Sequence, residues 1–206
     1  MLTSLPNLLT VSRILLIPLI VGMFWLEGEW ARWVTLGLFI AAGVTDYLDG
    51  VAARQMGEIS NLGRFLDPVA DKLLVASILL MLVGFGDIRG VSILPALVIL
   101  CREILVSGLR EFLAGIKVGV PVSRLAKWKT AVQMTALGFL IVGGTGPTLM
   151  HGTVTFGTVG TVLLWVAALL TMITGYDYMR AGLRHMGAAE ADKRVGANRR
   201  GMVSRP

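Results

Sequence analysis

Asp46-Tyr47-Leu48-Asp49-Gly50-Val51-Ala52-Ala53-Arg54, followed eight residues later by Gly63-Arg64-Phe65-Leu66-Asp67-Pro68-Val69-Ala70-Asp71, is the stretch on which the reading of this chain turns. Four carboxylates fall within 26 residues of an otherwise apolar sequence. Asp46 and Asp49 are three apart and Asp67 and Asp71 four apart, so on helices each pair shares a face. The link between them, around Gly57 to Gly63, is short. The two helices are expected to be antiparallel neighbours that bring four carboxylates to one site.

The surroundings of that stretch decide the class of protein. Of 206 residues, 55% are hydrophobic and only 16% charged. The mean hydropathy is +0.75. An ordinary soluble domain carries about 25% charged residues. A soluble chain of this length cannot hide so much apolar surface, and a disordered chain is poor in it. The expected fold is an all-α integral membrane protein. Crossing the hydrocarbon takes about 20 residues of helix, and six segments serve, at about 11–26, 31–56, 63–85, 91–116, 122–142 and 155–184. A short N-terminal segment, 2–10, is expected to lie at the interface. Arg13 within the first apolar run, and the acidic end of that run, argue against a cleaved signal peptide. Residues 1–186 read as one six-helix catalytic domain, and 187–206 as a basic, disordered cytoplasmic tail held at most by anionic lipid.

Charge sets the orientation. The net charge is +6. All but two of the 19 basic residues, Arg32 and Arg89, fall on the side of the termini. The positive-inside rule puts both termini and the four acids at the cytoplasmic face of a multi-pass protein. No nucleic-acid-binding signature accompanies the basic surplus. Cys101 has no partner cysteine, and His151 and His185 are isolated, which disfavours disulfides and zinc.

Four like charges at one site need protons or cations to offset them. Two divalent ions would cancel the formal charge, and all-oxygen ligands suit Mg²⁺ or Mn²⁺. A pair of such ions is an arrangement used for displacement at phosphorus. Gly50, Ala53 and Gly63 leave room beside the acids for a bulky ligand, and Arg54 and Arg64 can meet phosphate charge. Taken singly, each acid has a plain alternative. Asp46 and Asp49 would serve as helix-end acids paired with Arg54, and Asp67 as the cap of a helix that starts at Pro68. Four in register leave that alternative little room.

Written as Asp46-x2-Asp49-Gly50-x2-Ala53-Arg54-x8-Gly63-x3-Asp67-x3-Asp71, the stretch resembles, at every position, the signature of the CDP-alcohol phosphotransferase family. The resemblance implies six transmembrane helices, a homodimer, and transfer of the phosphoryl-containing half of a CDP-linked donor to an alcohol with release of CMP. It implies that Asp46, Asp49, Asp67 and Asp71 hold two divalent cations and that Asp71 is the general base. It implies that Gly50, Ala53 and Gly63, with Arg54, form the CDP site.

Three flanking stretches resemble the bacterial branch of that family that joins CDP-diacylglycerol to sn-glycerol 3-phosphate in phospholipid synthesis at the cytoplasmic membrane. They are Pro6 to Arg13, Arg102-Glu103-Ile104 running on to Leu109-Arg110-Glu111, and Lys127-Trp128-Lys129-Thr130 running on to Gln133-Met134. An anionic acceptor also suits the cluster of Arg110, Lys117, Arg124, Lys127 and Lys129, of which Arg110 and Lys127 are the expected phosphate contacts. Such loop cations can equally be there to set topology. Glu103 is expected to pair with Arg102 as a structural element. Inositol phosphate, serine or phosphatidylglycerol remain alternative acceptors. A cation- or proton-coupled transporter would place its acids near the midplane of an inverted repeat, and no repeat is evident.

Overall fold

In a computed structural model, the backbone is described for residues 5–56, 61–116, 124–146 and 154–203, and the side chains for 10–46, 66–116, 124–146 and 154–184. Among the described residues there are six long helices and no β-strand: α1 (Leu5–Met23), α2 (Glu29–Met56), α3 (Asn61–Gly84), α4 (Ile93–Gly115), α5 (Arg124–Val142) and α6 (Phe156–Val203). Two stretches, Gly90–Gly115 and Phe156–Arg184, are long and apolar enough by themselves to cross a bilayer. The bundle's outer surface agrees. A helix in water turns polar residues outward, whereas here Leu15 and Leu80 are each 70% exposed, with Leu97, Ile104, Leu169 and Ile173 exposed beside them on other helices. Large apolar side chains left exposed on several helices mark contact with lipid, and the chain is a membrane protein.

Three boundaries differ from expectation. α1 starts at Leu5, so residues 5–10 are its first turns rather than a separate interfacial segment. Pro6 sits where its missing N–H costs the helix nothing. α3 starts at Asn61, which puts Pro68 inside it and excludes Asp67 as its cap. α6 continues past Arg184 to Val203, so the backbone of the basic tail is helical that far, not disordered.

Packing is led by helix pairs. α5 lies along α6, α4 against α6, and α1 against both α2 and α3. α1 thus packs against both signature helices; the adjoining ends of α2 and α3, expected to be direct neighbours, lie outside the residues whose side chains are described. Ile17 and Ile20 of α1, Phe39 of α2, Ile78 and Leu82 of α3, Ile99 of α4, Leu137 and Leu140 of α5 and Leu164 of α6 make one continuous core. Small residues let backbones approach, as is common between helices in membranes. A Cβ on Gly160 would lie 2.7 Å from Leu140 Cγ and 2.9 Å from the Leu140 backbone nitrogen.

The end of the bundle away from the acids is pinned by Arg32, whose Nη1 donates to Asp87 Oδ2 at 2.8 Å. Burial pushes the Asp87 carboxyl above its ordinary pKa, against the opposing pull of Arg32 and Arg89. Gly86 has φ +74°, and this left-handed turn lets the chain leave α3 with the Ile88 N–H returning to the Leu82 carbonyl. Trp25, Trp30 and Trp33, expected as interface belt residues, are all exposed at this end.

Candidate active site

On α1, Thr10, Arg13, Ile17 and Ile20 recur at helical spacing along one face, continued by Phe24 in the turn that follows, and all are buried. Two polar side chains are thus carried into the bundle on an apolar stripe, and each meets a signature aspartate. Thr10 Oγ1 donates to Asp67 Oδ1 at 2.6 Å. Arg13 Nη1 lies 2.6 Å from Asp46 Oδ1. On α3, the next residue in the chain serves Asp71: Lys72 Nζ donates to Asp71 Oδ2 at 2.8 Å.

Asp46, Asp67 and Asp71 line one cavity of about 420 Å³, together with Lys72, Arg102, Glu103 and Arg110. Asp46 and Asp71 also stand at the head of a larger groove of about 610 Å³. That groove is apolar. It runs between α2 and α5 past Phe39, Ile40, Met134 and Phe139 as far as Phe156. A polar cavity and an apolar groove therefore meet at two signature carboxylates.

The cavity's far wall is a buried charge network. Glu103 of α4 accepts from Lys129 of α5 and, at 3.1 Å, from Arg102 Nη1 through the same oxygen, Oε1. Its other oxygen, Oε2, is 3.0 Å from Lys72 Nζ. Arg102 reaches further, donating through Nη2 to Thr174 Oγ1 at 2.9 Å and lying over the Tyr178 ring. Gly175 makes room for it, since a Cβ there would lie 3.0 Å from Arg102 Cγ. α3, α4, α5 and α6 are all tied at this point. The expected Arg102–Glu103 pair is present, as one edge of a larger network.

Of the four aspartates expected to hold cations, Asp46, Asp67 and Asp71 line one cavity, and such all-oxygen ligands suit Mg²⁺ or Mn²⁺. Among the described residues no three acidic, histidine or cysteine side chains stand close enough together to hold a metal ion. Asp49, Gly50, Ala53 and Arg54 fall in the last turns of α2 and Gly63 in the first turn of α3; their side chains lie outside the described residues. Arg110 is exposed and on the cavity wall. Lys127 is exposed on α5 and is not part of that wall, whereas Lys129, two residues on, is 4% exposed and bonded to Glu103. Lys72, the burial of Lys129 against Glu103 and the bridging role of Glu103 were not anticipated; Lys129 was expected only as one of the cations near the acceptor. The signal was present: Lys129, Gln133, Ala136, Leu137 and Leu140 form one buried stripe on α5.

The class of protein comes from comparison with known proteins. The family model described as CDP-alcohol phosphatidyltransferase matches residues 3–173, and the chain belongs to that family. A Rickettsia typhi protein named CDP-diacylglycerol–glycerol-3-phosphate 3-phosphatidyltransferase is 47% identical over 178 residues, 86% of this chain and 96% of its own length. A Cereibacter sphaeroides protein of the same name is 39% identical over 89% of this chain and 97% of its own length. A rice protein named cardiolipin synthase (CMP-forming) is 40% identical over 87% of this chain and 57% of its own length.

Proposed function

We propose that this enzyme transfers the phosphatidyl group of CDP-diacylglycerol to sn-glycerol 3-phosphate, giving phosphatidylglycerophosphate and CMP. The observation that carries this is the meeting of polar cavity and apolar groove at Asp46 and Asp71. A lipid whose reacting phosphorus joins a nucleotide head to two acyl chains needs both environments at one point. The head group occupies the cavity and the chains follow the groove.

In this reading Asp46, Asp49, Asp67 and Asp71 hold two divalent cations, Mg²⁺ or Mn²⁺. When bound, these supply positive charge to a pyrophosphate whose negative charge grows as it breaks. Gly50, Ala53, Arg54 and Gly63 take the cytidine diphosphate. Asp71 accepts the proton of the acceptor hydroxyl, which requires an approach of about 3 Å. The new oxygen–phosphorus bond forms as the bond to CMP breaks, and CMP leaves with the electron pair. Arg110 and Lys127 meet the phosphate of the acceptor, a dianion near neutral pH. The enzyme works as a homodimer in the bacterial cytoplasmic membrane, crossing it six times, with both termini and the site on the cytoplasmic side.

A second reading keeps the donor and the chemistry but takes phosphatidylglycerol as acceptor. The similarity to the rice protein supports it. The distinguishing experiment offers purified protein CDP-diacylglycerol with Mg²⁺ or Mn²⁺ and, separately, glycerol 3-phosphate, phosphatidylglycerol, inositol phosphate and serine. CMP release with glycerol 3-phosphate alone, abolished by chelator, is expected. Release only with another acceptor would replace the acceptor and retain the rest.

A further inference from the structure

The charge network leaves one question that the transfer reaction does not answer. Glu103 has no place among the cation ligands or the proton acceptor, yet it is buried and draws three cations from three helices. Its two oxygens are divided: Oε1 takes Lys129 and Arg102, and Oε2 takes Lys72. Lys72 is in turn shared, 3.0 Å from Glu103 and 2.8 Å from Asp71. Its contact with Asp71 engages Oδ2.

A carboxylate on a lone χ1–χ2 pair can present either oxygen to a ligand. One tied by a fixed donor presents only the other. Lys72 supplies that donor, but a lysine on a four-carbon stem is itself mobile. Glu103 removes that mobility by holding the ammonium from the far side. Lys129 and Arg102 hold Glu103 in turn, and Thr174 with Gly175 seats Arg102. The chain of contacts runs from the α6 backbone to the oxygen of Asp71 without a gap.

Resting on the functional reading above, we infer that Glu103 and Lys72 are positioning residues for the transfer step. Lys72 fixes the rotamer of Asp71 so that Oδ1 faces the cavity, and Glu103 fixes Lys72. Outer contacts of this kind typically change activity by about 10-fold to 100-fold when removed.

The test is a double-mutant cycle in the purified full-length protein, with Lys72→Met, Glu103→Gln and the pair. Thermal unfolding and Mn²⁺ binding by electron paramagnetic resonance are recorded for each variant. Each single variant is expected to lower kcat about 10-fold to 100-fold with the KM for CDP-diacylglycerol within about threefold. The double variant is expected to be no slower than the slower single, because both act through one oxygen. Lys72→Arg, which keeps a donor, should recover part of the loss. A Lys72→Met protein with kcat within twofold of wild type overturns the inference, as do effects that multiply in the pair. If Glu103→Gln does not fold, Lys72→Met and Lys72→Arg decide alone, since Glu103 keeps Arg102 and Lys129 in them. A wild-type protein that releases no CMP with any acceptor overturns the functional reading instead.

Discussion

Arg13, 1% exposed and carried inward on the apolar face of α1, places Nη1 2.6 Å from Asp46 Oδ1 on α2. Thr10, one turn earlier, does the same for Asp67 of α3, and Lys72 for Asp71. Three acids that the functional reading assigns to divalent cations thus have protein partners without them. Holding α2 and α3 in place takes side chains that reach both. α1 does that work.

Chelation should therefore stop the reaction without unfolding the protein. Excess EDTA is expected to abolish CMP release while far-UV circular dichroism keeps its helical signal. Added Mg²⁺ should restore activity within the mixing time. A cooperative loss of helix on chelation, of the kind seen where a metal site is the folding energy, would show that Arg13, Thr10 and Lys72 do not substitute.

Asp71→Asn keeps the shape of the side chain and its acceptor oxygen for Lys72 but removes its basicity. Turnover is expected to fall by about 10²-fold to 10⁴-fold, the usual contribution of a positioned general base. Binding of CDP-diacylglycerol, measured with a labelled donor in detergent, should remain detectable, because Asp46 and Asp67 still line the cavity. Full activity in this variant would remove Asp71 from the proton transfer.

The four-aspartate pattern is legible in sequence because it is local. Spacings of three and four residues put carboxylates on a helix face whatever the rest of the chain does. The contacts that complete the site are not local. Arg13 meets Asp46 across 33 positions, and Lys129 meets Glu103 across 26. Charge and spacing alone cannot choose between Lys127 and Lys129. The apolar stripe can: Lys129 shares its face with Leu137 and Leu140, as Arg13 does with Ile17 and Ile20, and Glu103 with Ile99 and Val106. A charged residue in phase with a buried stripe faces inward and needs a partner. Helix ends were less legible. Gly187 reads as a stop just beyond Arg184, yet α6 runs on to Val203 through residues rich in Ala and Arg, which are good helix formers.

Arg110 and Lys127 separate on geometry. Arg110 lines the cavity and Lys127 does not. A charge-assisted hydrogen bond to phosphate contributes about 1.5–3 kcal/mol, or roughly 10-fold to 100-fold in affinity. Arg110→Ala should raise the KM for glycerol 3-phosphate by that factor with the KM for CDP-diacylglycerol little changed. Lys127→Ala is expected to move the same constant less. Initial rates at varied concentrations of each substrate check both, and an equal effect of Arg110→Ala on the two KM values would refute a specific acceptor role.

Gly160 and Gly37 make a paired test of the packing. Both lie within helices, and both are formally candidates for the stabilisation that alanine brings by restricting the unfolded chain, about 0.4–1 kcal/mol. Their surroundings differ. A Cβ on Gly37 meets nothing within 4 Å, whereas one on Gly160 comes within 2.9 Å of the Leu140 backbone nitrogen. A side-chain neighbour could rotate away, but a helix backbone can move only by separating α5 from α6. Overpacking of this kind costs about 1–3 kcal/mol, which outweighs the alanine gain. Gly160→Ala is expected to lower the midpoint of thermal unfolding in detergent, and Gly37→Ala to leave it unchanged or raise it. The effect should also reach the site, because α5 carries Lys129 to Glu103 and forms one wall of the apolar groove. Activity of Gly160→Ala at a temperature well below its midpoint should fall, while that of Gly37→Ala should not. Equal midpoints for the two variants would mean that the close approach of α5 and α6 at Gly160 is not what holds them together.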